Sequence, residues 1–226
     1  MPMQMTNRVP EWLTPIAWLF ITLALLTAAA IAFDIFARRH RHDTVAVELV
    51  WIASALYLGP FALLAYARHG RTAVRTGSKH AAAQPQPTAV AGLPGGGASA
   101  VAHLVGVPLV VASGLTIAGI DLWVMIIVIG LLAMALLFVY ERAASRHGRA
   151  AALPVGAAAV VAVLTVLAFD IGMGGWMLLL HFNEFMPPAT EGSFWFLMQI
   201  GIVLGLLTGY PVVSWLAQRH KTVVPA

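Results

Sequence analysis

Apolar positions in this chain come in long unbroken runs, not in the alternation of a half-buried strand or the stripe of a surface helix. The runs are bounded by short polar turns. A membrane-crossing helix needs about 20 mostly apolar residues, because each adds about 1.5 Å across a core about 30 Å thick. On that measure the pattern predicts an all-α, polytopic membrane helical bundle of about six transmembrane helices, forming a single transmembrane domain over residues 1–226. Span 1 runs from Trp12 to Phe36 and span 2 from Val45 to Ala67, with Gly59-Pro60 as a kink; together, residues 12–67 form a helical hairpin. Residues 68–99 carry Gln84-Pro85-Gln86-Pro87 and Gly95-Gly96-Gly97, hold few large apolar side chains, and read as a flexible linker.

Residues 100–218 then make a four-helix portion. The run from Ala100 to Tyr140 is too long for one helix and breaks at Gly119-Ile120-Asp121. That gives span 3 from Ala100 to Ala118, with Pro108 inside, and span 4 from Leu122 to Tyr140. Span 5 runs from Leu153 to Phe182 and span 6 from Phe194 to Gln218. Trp12, Trp51, Trp123, Trp195, Trp215, Tyr66 and Tyr140 fall near these ends, as aromatic belts do, and Trp176 is the exception. The first run resembles a signal peptide, but it exceeds the usual 7–15-residue signal core and leads straight into Arg38-Arg39, so it is read as a retained span.

Composition confirms the class. The chain of 226 residues is 60% hydrophobic and 10% charged, and its mean hydropathy is +0.86. A soluble domain is nearer 45–50% apolar and about 25% charged. The net charge of +4 does not point to nucleic acid, since the Lys and Arg residues cluster at the ends of apolar runs rather than along one face. The lipid bilayer is the expected partner. With no cysteine, thiol catalysis, iron–sulfur clusters, Cys-ligated zinc and disulfides are excluded.

Basic residues also set orientation. With six crossings and both termini in the cytoplasm of a bacterial inner membrane, ten Lys and Arg lie inside and three, Arg38, Arg39 and Arg41, lie outside. The first loop then breaks the rule. If residues 100–118 enter without crossing, the N-terminus moves outside and the division becomes eight and five.

Several motifs are more particular. Glu11-Trp12-Leu13, Phe33-Asp34-Ile35-Phe36 and Ala55-Leu56-Tyr57-Leu58-Gly59-Pro60 stand in the first part. Gly174-Gly175-Trp176-Met177, His181-Phe182, Phe194-Trp195-Phe196-Leu197-Met198-Gln199-Ile200-Gly201 and Gly209-Tyr210-Pro211 stand in the last. Together they resemble an uncharacterised family of bacterial multi-pass membrane proteins, the domain-of-unknown-function family numbered 4396. The family carries no activity with its name. The resemblance implies a metal-like His- and Cys-containing segment opening the third span. Here that region reads Ala102-His103-Leu104-Val105-Gly106, without cysteine.

Polar groups within spans are costly and therefore candidates for function. Asp170 lies inside span 5 with no Lys or Arg in any span core to neutralise it, and reads either as a proton or cation site or as a protonated acid bonding a neighbouring helix. His103 is the intramembrane histidine of span 3, a relay or a packing residue. Met173, Met177 and His181 recur at intervals of four on one helix face; thioethers with imidazole suit copper(I), and packing is the competing reading. His40 and His42 flank Arg41, with Asp34 and Asp43 nearby, in what reads as a solvated loop. Gly201, Gly205 and Gly209 put a small-residue face on span 6, where a membrane-protein partner or a second copy of the chain would pack closely.

No hydrolase triad, zinc-protease, P-loop or dinucleotide motif is present, so an enzyme is not expected and no cofactor beyond that copper site is implied. Two readings remain: a structural or accessory membrane component, resting on the glycine face, and a small transporter or binding protein for a metal cation or protons, resting on Asp170 and the Met173/Met177/His181 face.

Overall fold

The computed structural model describes residues 8–42, 44–71, 90–148 and 153–219. The apolar runs become helices, because in lipid a backbone must satisfy its own N–H and C=O groups and a helix does so within one segment. The helices are α1 (Leu13–Phe36), α2 (Val45–Leu58), α3 (Pro60–Ala65) continued by a single π-helical turn (Tyr66–Gly70), α4 (Leu93–Ser113), α5 (Asp121–Gly148), α6 (Val155–Phe182) and α7 (Gly192–Gln218). Five of them, α1, α4, α5, α6 and α7, are long and apolar enough to cross a membrane, and α2 is a shorter apolar helix. The chain is a helical, multi-pass membrane protein, and five helices able to cross, with the shorter α2, agree roughly with the expected number of about six transmembrane helices.

The helices close into a ring. α1 packs on α2 and α7, α2 on α4, α4 on α5, α5 on α6, and α6 on α7. Large apolar side chains such as Leu26, Leu131, Ile171 and Leu207 stay exposed on the outside, where lipid rather than water meets them. The helix ends define two faces of the bundle. At one, the Arg8 guanidinium pairs with Glu184 at 3.2 Å and Gly192 lies against the Trp18 ring, so the N-terminal segment and the α6–α7 loop share it. At the other, α1 ends, α5 ends and α6 begins; Arg142 there donates to the Leu153 carbonyl. This second face is called the basic end below.

The second apolar run departs from the sequence expectation. Residues 45–67 do not form one kinked crossing. Gly59 adopts φ +55, outside the range of α2, and its Cα lies against the Phe20 ring of α1, where a Cβ would come within 3.0 Å. Pro60 then starts α3 with its fixed φ and no N–H. The chain reverses and returns along α1: the Tyr66 hydroxyl donates to Asp34 at 3.1 Å, and Arg71 reaches the same carboxylate at 3.2 Å. Asp34 stands at the end of α1 from which α2 set out, so the pair α2–α3 enters and leaves by the basic end. Trp51 and Tyr66 close the pair edge to face, with centroids 5.6 Å apart.

A reversal within the membrane is tolerated only where other protein covers the freed backbone groups. Pro60 has no N–H for the Leu56 carbonyl four residues earlier, and Gln199 of α7 supplies the missing donor at 2.7 Å.

The linker expectation also shifts. Residues 93–99 belong to α4 and are buried. Gly95, Gly96 and Gly97 serve there as small residues that let helices approach. A Cβ on Gly96 would meet Tyr57 at 2.7 Å, and one on Gly97 would meet Ala53 at 3.4 Å. Residues 68–70 of the expected linker belong to the π-helical turn and 90–92 lead into α4, while residues 72–89 lie outside the described residues. The break between spans 3 and 4 falls close to expectation: α4 stops at Ser113, Gly114 takes φ +64, and Ile117 and Ile120 exchange backbone hydrogen bonds before α5 begins at Asp121.

Candidate functional site

Two polar constellations stand out, one at the basic end and one inside the bundle. At the basic end Asp34 and Glu48 are buried, 8% and 0% exposed. Asp34 receives Tyr66 and Arg71, with Arg38 at 3.6 Å and the His40 ring at 3.3 Å. Glu48, one turn into α2, takes a forked pair of bonds from Arg41 at 2.6 and 3.0 Å and a third from the His42 backbone N–H at 3.1 Å. The planar guanidinium matches the two carboxylate oxygens. That hydrogen bond raises the Arg41 pKa above its ordinary value.

The segment expected to be a solvated loop is therefore folded onto two buried carboxylates. The reason is the fold-back, which brings Tyr66 and Arg71 beside residues 34–48. Sequence reading missed Glu48, Tyr66 and Arg71 as members of this group. The signal available was three arginines in a loop that broke the charge rule. Asp43 lies outside the described residues.

Inside the bundle, a cavity of about 240 Å³ opens between α1, α2, α4 and α7. Ile21 and Ala24 of α1, Leu56 of α2, Ala100 and His103 of α4, and Met198, Gln199 and Ile202 of α7 line it. Trp18, Leu25 and Leu104 form its outer wall and are themselves exposed on the lipid side. Two polar side chains interrupt the apolar lining. The His103 Nδ1 lies 2.8 Å from the Ser99 carbonyl oxygen of its own helix. A carbonyl only accepts, so Nδ1 carries the proton. The His103 Nε2 is buried and has no partner among the described residues, and the same holds for the Oε1 of Gln199, whose amide nitrogen is committed to Leu56. His103, singled out by sequence, is thus found with Gln199, which was noticed only as a neighbour of the glycine face.

The other sequence candidates lie elsewhere. Asp170 stands in the middle of α6, half-buried, with its Oδ2 against Gly130 of α5, and it makes no hydrogen bond or ion pair among the described residues. His103 and Asp170 are held apart by α5, since Gly106 of α4 packs on Ile129 and Gly130 packs on Asp170. Met173 and Met177 are buried in the core, the Met173 sulfur pressed on Gly201 of α7, while His181 is half-buried near the end of α6, edge to face with Phe182. No group of three or more His, Asp or Glu with metal-binding geometry occurs among the described residues.

The glycine face expected to receive a partner is filled by the chain itself. Gly201 meets Met173 and Trp176, and Gly205 and Gly209 meet Phe169, all on α6. Trp176 adds a bond from its indole nitrogen to the Leu197 carbonyl at 2.9 Å, which explains an aromatic residue away from the interfacial belts.

The family described as "Domain of unknown function (DUF4396)" matches residues 86–222. The chain belongs to this family. The match takes in α4 to α7, so the DUF4396 portion contributes His103, Gln199 and Asp170, and the fold-back pair precedes it. No curated protein and no solved structure matches the chain.

Proposed function

We propose that this DUF4396 protein is a small, non-enzymatic transporter of the bacterial cytoplasmic membrane, with the proton or a small cation as cargo. The fold-back pair carries the reading. A helix that breaks inside the bundle and returns by the face it entered is a device that transporters use, and the α2–α3 pair has that form. Asp170, an intramembrane carboxyl with no partner among the described residues, supports the choice of cargo. The competing reading as a structural component loses its main support, because α6 covers Gly201, Gly205 and Gly209.

The orientation proposed is N-terminus outside and basic end inside. With five crossings and a fold-back, every Lys and Arg except Arg8 stands in a segment joined to the basic end. That removes the anomaly of the first loop and gives a sharper division than either arrangement considered from sequence. It keeps the expected cytoplasmic C-terminus and moves the N-terminus to the other side.

Purified protein in vesicles containing a pH-sensitive dye tests the cargo. An imposed pH gradient should collapse faster in vesicles with the wild-type chain than in empty ones, and Asp170→Asn should remove the difference. Equal rates for wild-type and empty vesicles would refute proton transport.

A further inference from the structure

Five arginines against three acids stand between residues 34 and 71, so the basic end keeps an excess of positive charge after its ion pairs are made. The pairs position the guanidinium groups rather than cancel them. Glu48 takes the Nε and Nη2 of Arg41 and leaves Nη1 with no partner among the described residues. Arg38 lies 3.6 Å from Asp34, a carboxylate that Arg71 and Tyr66 already approach. The side chains of Arg38 and Arg41 remain 62% and 51% exposed, free to meet a further anion.

What lies beneath them is apolar. The Arg38 guanidinium stands 5.9 Å from the centre of the Phe33 ring, and that of Arg41 stands 5.0 Å from the centre of the Phe36 ring. Phe33 and Phe36 are one turn apart on one face at the end of α1, and both rings are exposed. On a membrane-crossing helix such rings meet acyl chains, which puts the two guanidinium groups over them at headgroup depth.

Arg39 stands between the two. It is exposed, and its side chain makes no ion pair or hydrogen bond among the described residues. Its φ is +59, a left-handed conformation that glycine takes freely and arginine takes at a steric cost. The turn alone is best served by glycine. What arginine adds there is a cation at the surface.

We infer that this end of α1 is a binding site for the phosphate of an acidic phospholipid. The acyl chains lie along Phe33 and Phe36, and Arg38, Arg39 and Arg41 donate to the phosphate oxygens. A zwitterionic lipid brings an ammonium group with its phosphate, which the excess positive charge disfavours. A water-soluble phosphate or an acidic protein leaves the two rings uncovered. The inference does not rest on the transport reading: it concerns another part of the fold, and absence of proton flux leaves it untouched.

The test uses the purified full chain in detergent, mixed with equal amounts of dioleoyl phosphatidylglycerol and dioleoyl phosphatidylcholine. Lipids that stay bound are counted by native mass spectrometry. The wild-type chain should retain phosphatidylglycerol over phosphatidylcholine by about tenfold or more. Excess inorganic phosphate, compared with chloride at the same ionic strength, should displace none of it. Arg39→Gly should lower the preference by about fivefold, the contribution of one basic residue near an anionic surface, and leave the lipid-free melting temperature unchanged or higher. Arg38→Gln, which leaves the backbone alone, should show a similar loss. Arg219→Gln takes one charge from the same end, where Arg219 lies over the Trp215 ring of α7, and should keep the preference. Equal retention of the two lipids by the wild-type chain would overturn the inference. So would a preference that survives both Arg39→Gly and Arg38→Gln, displacement of the lipid by phosphate, or an equal loss in Arg219→Gln, which would mark a general effect of charge.

Discussion

The Nε of Arg71 lies 3.2 Å from the Oδ2 of Asp34. Thirty-seven positions apart in sequence, the two residues stand at the far end of α3's continuation and at the end of α1. Their meeting means that the chain between them goes into the bundle and comes back. Tyr66 donates to the same oxygen, and Arg38 and His40 approach the carboxylate from the α1 side.

Asp34→Ala should therefore lower the melting temperature of the detergent-purified protein. The buried Tyr66 hydroxyl alone loses its acceptor, at a cost of about 1–3 kcal/mol. Tyr66→Phe, which removes donor and need together, should cost less. A melting temperature unchanged by Asp34→Ala would mean that this contact does not hold the pair in place.

Glu48 and Arg41 form a second lock, with Glu48 fully buried and Arg41 half exposed. Removing Arg41 takes the forked guanidinium and its counter-charge from a buried carboxylate, so Arg41→Ala should destabilise the protein. Glu48→Gln in the same chain should recover part of the loss, since a neutral amide needs no counter-charge. Additive losses in the double variant would show that the two side chains are not coupled.

Glycines on α6 separate two kinds of helix face. A Cβ on Gly172 would come within 2.5 Å of the Leu204 carbonyl oxygen, which is backbone and cannot move aside, whereas Gly174 and Gly175 have nothing within 4 Å. Gly172→Ala should lower the melting temperature sharply, and Gly174→Ala should be neutral or slightly stabilising through helix propensity. Gly205→Leu, which drives into Phe169, should destabilise the fold with no change in oligomeric mass. A selective loss of oligomer in Gly205→Leu would restore the interface reading of that face.

The sequence made the five long helices legible because a crossing helix leaves an apolar run of its own length. The starts after Pro154 and at Asp121 follow from turn chemistry that is local. The fold-back was not legible from hydropathy. A kinked crossing and a returning pair both present an unbroken apolar run around Gly59-Pro60, and only the contacts of Phe20, Tyr66 and Arg71 tell them apart. A clue existed in the charges of the first loop, but it was compatible with residues 100–118 being the segment that fails to cross. The glycines at 95–97 misled in the other direction, since glycine marks a flexible linker in water and close helix contact in a membrane. His103 was visible as a lone polar residue, while its companion Gln199 depends on a carbonyl that Pro60 orphaned 139 positions earlier in the chain.

The central claim is that residues 45–71 enter and leave by one face. Single cysteines introduced as Arg39→Cys, Arg68→Cys and Thr190→Cys in this cysteine-free chain report it directly through a membrane-impermeant thiol reagent. The account predicts that in intact cells Thr190→Cys is labelled, while Arg39→Cys and Arg68→Cys are labelled only after the membrane is opened. Labelling of Arg39→Cys and Arg68→Cys from opposite sides would contradict it.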